Sequence, residues 1–328
     1  MTWRLFTGSD SEWDQVTSQL SNPSPYQTHA WARFRSHDGW SPIRLTTLDQ
    51  AAMVQVLTRK VFGIDIAWVP GGPLGQTSTE VLMELGAAVR RQLSTSVFYM
   101  RIADFREANP LTLEHYLDAD WRRPRATLST GKTLVRALPE SSEGLRISYT
   151  KNWSRNLRRG EDRGVTASVW TEPNVNEIVS LHLDVANIKG LNANDWRTST
   201  ARLTQLLEYF RDQVVIVRAI DGYGVTQAIR GAVKIGSRGF DFLAATSVQG
   251  RSLYASNIAL HHLLETLCQQ GILTYDFGGV DRESNKGVYD FKHGAGGSEY
   301  AYVGEFEAAH PSYVRSILST LMALRVAR

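Results

Sequence analysis

Apolar residues along this chain fall into one pattern that occurs twice. From Met53 to Thr58 and from Ile64 to Val69, β-branched and aromatic residues run in short blocks. Gly63 and Pro70-Gly71-Gly72-Pro73 bound them, which predicts two strands. Thr77 lies three residues before Glu80, a capping-box spacing, and the stripe Val81, Leu82, Leu85, Ala88 and Val89 predicts the helix it opens. Val97–Ile102 follows as a strand. The order then returns: Val214–Ile220 predicts a strand, Asp221-Gly222-Tyr223-Gly224 a turn, and Val225–Ile235 a strand with Ile229, Gly231, Val233 and Ile235 on one face. Gly236-Ser237-Arg238-Gly239 turns into Phe240–Thr246. A helix striped by Leu260, Leu263, Leu264 and Leu267 stops at Gly271, and Ile272–Phe277 closes the set. Strands, a helix and a strand, found twice, predict duplicated α/β domains rather than one large sheet.

Length agrees with two domains: 328 residues exceed the usual size of one. The polar, breaker-rich stretch Pro139–Gly144 sets the expected boundary, giving a first domain over 1–138 and a second over 139–307. A final segment, 308–328, carries Val314, Ile317, Leu318, Leu321 and Met322 with Arg315, Arg325 and Arg328. It is expected to dock back onto the first domain, in preference to peripheral contact with the inner membrane face. Between the repeats, Lys151, Arg155, Arg158, Arg159 and Arg163 gather on one short helix whose apolar side is Trp153 and Leu157. A charged helix face is ordinarily a solvated one, and Glu161 and Asp162 dilute this one; meeting RNA phosphates is the functional alternative.

Composition adds exclusions. One cysteine, Cys268, rules out an internal disulfide and a multi-cysteine zinc site, and fits a reducing compartment. The first fifteen residues interleave Arg4, Asp10, Glu12 and Asp14, so no signal-peptide core is expected, and a cytoplasmic location is. A net charge of +3 permits a polyanionic partner without demanding one. Asp276-Phe277-Gly278 imitates a kinase magnesium motif without its companion loops, and His261-His262 lacks the order of a zinc-protease helix. No metal site is expected.

The richest chemistry lies in Tyr275-Asp276-Phe277-Gly278-Gly279 and in Phe291-Lys292-His293-Gly294 downstream, with six glycines over residues 278–297. Glycines let backbone approach a ligand closely. A lysine held there by packing acts as a fixed cation suited to receiving negative charge. Taken alone, Lys292 would be a solvated loop lysine.

In order along the chain, these pieces resemble the Fem family of peptidoglycan-bridge aminoacyltransferases, over most of its length. Gln27-Thr28-His29-Ala30-Trp31 is similar to the family's early Gln-Ser-x-x-Trp segment, Val69-Pro70-Gly71-Gly72-Pro73 to its Pro-Arg/Gly-Gly-Pro turn, and Tyr99-Met100-Arg101-Ile102-Ala103-Asp104 to its Arg-Ile-Asp strand. Tyr275–Gly279 with Phe291-Lys292 is the most specific match. The implied fold is α/β: two tandem acetyltransferase-like (GNAT-like) domains with mixed sheets. No segment is long enough for the helical-hairpin arm of FemA and FemB, so the shorter FemX type is implied.

The resemblance further implies transfer of an amino acid from aminoacyl-tRNA, the co-substrate in place of any cofactor, to an amine of a nucleotide- or lipid-linked peptidoglycan precursor or a related peptide, by a monomer. Lys292, with Phe291 beside it, would stabilise the oxyanion. Asp104 would accept or orient the amine proton, or, as an Asp at a strand end commonly does, cap a backbone N–H. Arg35, Tyr99, Arg197 (or Arg202), Asp276, Gly278 and Gly279 would bind substrate, and Lys151, Arg155, Arg158 and Arg159 would meet tRNA. Competing readings are an acyl-CoA-dependent N-acyltransferase, disfavoured because the turn Thr246–Ser256 holds only Gly250, and a catalytically silent member that binds RNA or precursor.

Overall fold

The computed structural model describes residues 3–189 and 195–326. The chain forms two compact units, Met1–Thr133 with Tyr300–Arg328, and Leu134–Glu299. The units divide at 133/134 and 299/300, where the sequence predicts divisions at 138/139 and 307/308.

In the first unit, β1 (Trp3–Leu5), β2 (Ser41–Thr47), β3 (Ala52–Val61), β4 (Ile64–Pro70), β5 (Leu74–Gly75) and β6 (Phe98–Glu107) precede the second unit in sequence. Strands β1 to β4 pair antiparallel in order, with β5 on β3, whereas β4 and β6 run parallel from Asp65 opposite Phe98 to Pro70 opposite Ala103. A parallel pair needs a crossover, supplied by the helix Thr79–Leu93, which buries Leu82, Leu85, Ala88 and Val89 against Val54, Val56, Val69 and Met100. Its cap is Ser78 and not Thr77. The Thr77 hydroxyl instead accepts from the Arg106 guanidinium at 2.9 Å.

The second unit comprises β7 (Lys132–Ala137), β8 (Thr166–Val169), β9 (Val214–Ile220), β10 (Thr226–Ile235), β11 (Arg238–Thr246) and β12 (Thr274–Gly279), in the sheet order β7-β12-β11-β10-β9-β8. The same plan recurs: antiparallel β9, β10 and β11, then the helix Ala255–Gln269, then β12 parallel to β11. That helix buries Leu260, Leu263, Leu264 and Leu267, the predicted stripe, and Cys268 with them. Finally β13 (Ser298–His310) returns to the first unit antiparallel to β6, and the helix Tyr313–Val326 follows.

Tandem acetyltransferase-like units with mixed sheets are therefore the architecture. Among the described residues no helix exceeds 15 residues, so none forms a coiled-coil arm, and none is long and apolar enough to cross a membrane.

The ladder between β10 and β11 is interrupted by a bulge on β11. Gly231 faces Leu243 but Ala232 faces Asp241, leaving Phe242 as the extra residue on β11. Bulges redirect side chains, and this one lies beside the site described next.

Under the sheet, buried His261 places Nδ1 2.9 Å from the Tyr149 hydroxyl, with Glu265 3.3 Å from Nε2. Burial, helped by Arg146, His262 and Arg136, lowers the His261 pKa to about 4 despite that carboxylate. As pH falls below 6.5 the unfolded chain takes the proton first, so stability present above pH 6.5 is lost down to about 4, by up to about 3 kcal/mol. Urea midpoints followed through this window should fall in the wild type and vary less in His261→Gln; equal slopes would remove His261 as the cause.

Candidate functional site

Strands β11 and β12 pair over only three positions, Arg238–Thr274, Gly239–Tyr275 and Phe240–Asp276. β11 then continues unpaired with β12 to Thr246, and the chain after Asp276 takes another path. Gly278 permits this with φ of +73°, a region open to glycine. A cavity of about 550 Å³ lies along the unpaired part of β11, walled by Asp241 and Ala244, by Gly250, Tyr254 and Asn257 at the start of the crossover helix, and by Phe291 and Lys292.

Lys292 sits on the helix Lys286–Gly294 and is 8% exposed, not a solvated loop residue. Its Nζ donates to the carbonyls of Gly278 at 3.3 Å and Gly279 at 3.2 Å. Asp276 fixes the turn that presents them by accepting the Gly278 N–H at 2.8 Å. Burial lowers the Lys292 pKa, opposed by Asp241 and Asp276 and reinforced by Arg230. The helix itself is pressed onto the basic segment: a Cβ on Gly294 would meet Trp153 at 3.0 Å, and Thr150 donates its N–H to the Gly294 carbonyl at 3.0 Å. Buried Arg136 donates to the carbonyl of Ala295, clamping the end of the same helix.

Sequence reasoning passed over Arg230, Ser256 and Asn257. Arg230 comes from β10, stacks 4.9 Å from the Phe291 ring, donates to Ser256 Oγ at 3.0 Å and lies 3.6 Å from Asp241. Asp241 in turn accepts from the Tyr275 hydroxyl at 2.8 Å. Two cations and two carboxylates thus share one buried wall. The available signal was an arginine inside the otherwise apolar run Ala228-Ile229-Arg230-Gly231-Ala232-Val233, since a central strand tolerates such a charge only when it has partners.

The basic helix Lys151–Asp162 exposes Lys151, Arg155, Arg158 and Arg159 while burying Trp153 and Leu157. Arg159 donates to the Tyr254 hydroxyl at 3.2 Å, and Arg163 lies 4.9 Å from that ring. Their hydrogen bonds hold the Tyr254 pKa below its ordinary value. Tyr254 also lines the cavity, so the arginine face and the Lys292 pocket share a wall residue.

Thus Lys292, Phe291, Asp276, Gly278 and Gly279 come together. Arg197, in the same unit, is not among the residues walling this cavity; it pairs with Asp195 at 2.8 Å and stacks on Trp196, and residues 190–194, just before this segment, lie outside the described residues. In the first unit, Arg35 pairs with Asp38 at 3.1 Å between Trp31 and Trp40. Tyr99 is enclosed and donates to Glu307 at 2.9 Å, its pKa driven up by burial and that carboxylate. Asp104 has no exposed surface; it pairs with Arg106, accepts from the Tyr116 hydroxyl at 3.0 Å and takes the Arg106 backbone N–H at 3.0 Å. A carboxylate so committed caps and neutralises.

No family model matches the chain, and no curated protein matches it in sequence. Solved structures do match. FemX superposes with a TM-score of 0.84 over 97% of this chain and 100% of its own, at 12% identity. The C-terminal domain of a putative lysylphosphatidylglycerol synthetase from Agrobacterium fabrum gives a TM-score of 0.55 over 97% and 96%, at 13% identity. A tandem GNAT protein from the clavulanic acid biosynthesis pathway gives 0.55 over 94% and 98%, at 10% identity. The fold of this chain is accordingly the FemX-like tandem acetyltransferase fold.

Proposed function

We propose that the protein is an acyltransferase that moves an amino acid from aminoacyl-tRNA to an amine of a peptidoglycan precursor or related peptide, in the cytoplasm. The observation that carries this reading is a buried ammonium in a cavity wall whose neighbour, Tyr254, is gripped by an exposed arginine face. That combination suits a reactive ester carried on a polyanion. The likeness of fold to FemX supports it.

An aminoacyl ester is already activated, so no covalent nucleophile or added cofactor is needed. The acceptor amine attacks the carbonyl carbon, a C–N bond forms, the C–O bond to the ribose breaks, and the amine's proton passes to the departing ribose oxygen. Negative charge gathers on the carbonyl oxygen in between. An ammonium has three N–H donors; the carbonyls of Gly278 and Gly279 take two from Lys292, and the third serves that oxygen. Because the glycine carbonyls hold the cation in place beforehand, little reorganisation is required when the charge appears. Asp104, already neutralised by Arg106, stabilises the first unit and leaves proton transfer to solvent. Lys151, Arg155, Arg158 and Arg159 contact RNA phosphates, with Arg35 and Arg197 as the candidate cations for precursor phosphates.

An acyl-CoA-dependent N-acyltransferase is the second reading, and the tandem GNAT likeness favours it. Against it, the Gly250 N–H at the relevant turn is already taken by Ser247 Oγ at 2.8 Å, and a Cβ there would lie 2.3 Å from the Gln227 carbonyl. The turn therefore has a donor occupied where a pyrophosphate would need one.

The test offers charged tRNA, acetyl-CoA and an amine-bearing precursor, with and without ribonuclease; ribonuclease-sensitive transfer is expected, and ribonuclease-resistant transfer from acetyl-CoA would falsify the proposal. Lys292→Met should lower kcat by about two to three decades while the protein stays folded. Because burial depresses the Lys292 pKa, the alkaline limb of the rate profile should lie below the ordinary lysine value of 10.5, the rate falling as pH rises through it. Replacing Arg155, Arg158 and Arg159 by Ala should weaken RNA binding at low salt and flatten its dependence on salt, by roughly 0.7 to 0.9 in log-log slope for each phosphate left unneutralised. Unchanged binding would remove this helix from the RNA site.

A further inference from the structure

One carboxylate in the cavity wall keeps an oxygen uncommitted. Asp241 is the first residue of β11 beyond its pairing with β12, which ends at Phe240 opposite Asp276. Its side chain lines the cavity and is 11% exposed. Oδ1 accepts the Tyr275 hydroxyl at 2.8 Å, a neutral donor that fixes the carboxylate and leaves its charge in place. Oδ2 stands 3.6 Å from Arg230, close enough for attraction and too far for a hydrogen bond. Arg230 is itself held by Ser256 Oγ at 3.0 Å and by its stack on Phe291. Among the described residues no donor satisfies Oδ2.

The same splay of β11 from β12 holds the Lys292 ammonium. Gly278, whose carbonyl takes one Lys292 N–H at 3.3 Å, lies against Asp241: a Cβ on Gly278 would sit 4.0 Å from the Asp241 carbonyl oxygen. Burial lowers the Lys292 pKa and Asp241 opposes it, so carboxylate and ammonium act on one another without bonding. Both line the one cavity. A carboxylate oxygen largely withdrawn from water and lacking a donor is costly to keep. A ligand that brings a cation to it recovers that cost.

We infer that Asp241 is a specificity-determining residue: its Oδ2 receives the α-ammonium of the aminoacyl donor while Lys292 receives the adjoining carbonyl oxygen. The inference rests on the aminoacyl-transfer reading above and adds to it which part of the donor the cavity reads. An α-amino ester carries its ammonium and its carbonyl on adjacent carbons, a charge pattern that a neighbouring carboxylate and ammonium match. The acceptor amine is the wrong occupant. It must attack as the free base, and a carboxylate beside it would hold it protonated. The donor's α-amine forms no bond in the transfer, so it can stay charged, and in that state it does not compete as a nucleophile. An acetyl group has no cation beside its carbonyl and would leave Oδ2 unpaired. The residue that favours an amino acid therefore also disfavours a plain acyl group.

The test is calorimetry of the full chain with two RNA hairpins ending in CCA. One carries a hydrolysis-resistant glycyl amide at its 3′ end, and the other an acetyl amide that differs only in lacking the ammonium. Glycyl brings no side chain, so the amino acid the protein prefers does not enter the comparison. The wild type is expected to bind the glycyl hairpin about ten- to a hundredfold more tightly, a preference read without any variant. Asp241→Asn, which keeps an acceptor for the Tyr275 hydroxyl, should abolish that preference by weakening the glycyl hairpin alone. Equal binding of the two hairpins by the wild type, or a preference that survives in Asp241→Asn, would overturn the inference and leave the RNA-borne donor standing. Weakening of both hairpins alike in the variant would overturn it too, reducing Asp241 to a counter-charge for Lys292 and Arg230. Binding of neither hairpin would sink the donor reading itself, and this inference with it.

Discussion

A lysine ammonium removed from water must recover its hydration from fixed dipoles, and the second unit is arranged around that requirement at Lys292. Two consecutive carbonyls, from Gly278 and Gly279, take the place of water. They can do so because β12 stops pairing with β11 after Asp276 and because Gly278 turns through a positive φ. Asp276 pins that turn through the Gly278 N–H, so the residue before the turn both shapes it and lends opposite charge. If the turn were straightened, the ammonium would lose its partners, and burial would favour the neutral amine.

The two units use one scaffold in opposite ways. Each has an antiparallel set of strands, a crossover helix and a parallel partner strand. In the first unit the charges on and beside the parallel partner are spent locally: Arg101 on Glu305, Asp104 on Arg106, and Glu307 on the neutral Tyr99 hydroxyl. In the second unit the pairing is looser. Arg230 stands 3.6 Å from Asp241, and Lys292 rests on neutral carbonyls rather than on a carboxylate. Closely paired charges stabilise and position, whereas a cation hydrogen-bonded to carbonyls, with Asp241 and Asp276 near it but making no hydrogen bond to it, retains the capacity to meet a developing anion. Under the proposed function, that contrast is the reason for assigning the donor chemistry to the second unit.

Much of the fold was legible because its signals are local. Val214–Ile220 matches β9 end to end, and the leucine stripe of the Ala255–Gln269 helix and its stop at Gly271 were readable from spacing alone. Where two candidate caps stood side by side, at Thr77 and Ser78, spacing to Glu80 picked the wrong one, since the choice depended on Arg106 claiming Thr77 from a distant strand. The bulge at Phe242 left no mark, because Gly231 and Leu243 look the same in sequence whether or not their register slips. The site divides similarly. Glycines flanking a lysine were visible in one stretch, while Arg230, Ser256 and Asn257 reach the cavity from separate elements and form no motif. Tyr99 and Asp104 resembled family positions by sequence, yet Glu307, which receives Tyr99, lies 208 residues along the chain, and Tyr116 reaches Asp104 from a separate helix, so neither contact could be read from spacing.

The central claim is that Lys292 binds the charge of the tetrahedral intermediate more strongly than it binds the ester. Calorimetry with a phosphonate analogue of that intermediate, built on the terminal adenosine of the donor, measures this without turnover. The account predicts that Lys292→Met weakens the analogue by about a hundredfold or more while the uncharged ester analogue binds both proteins alike. Equal affinity of the two proteins for the phosphonate would contradict it.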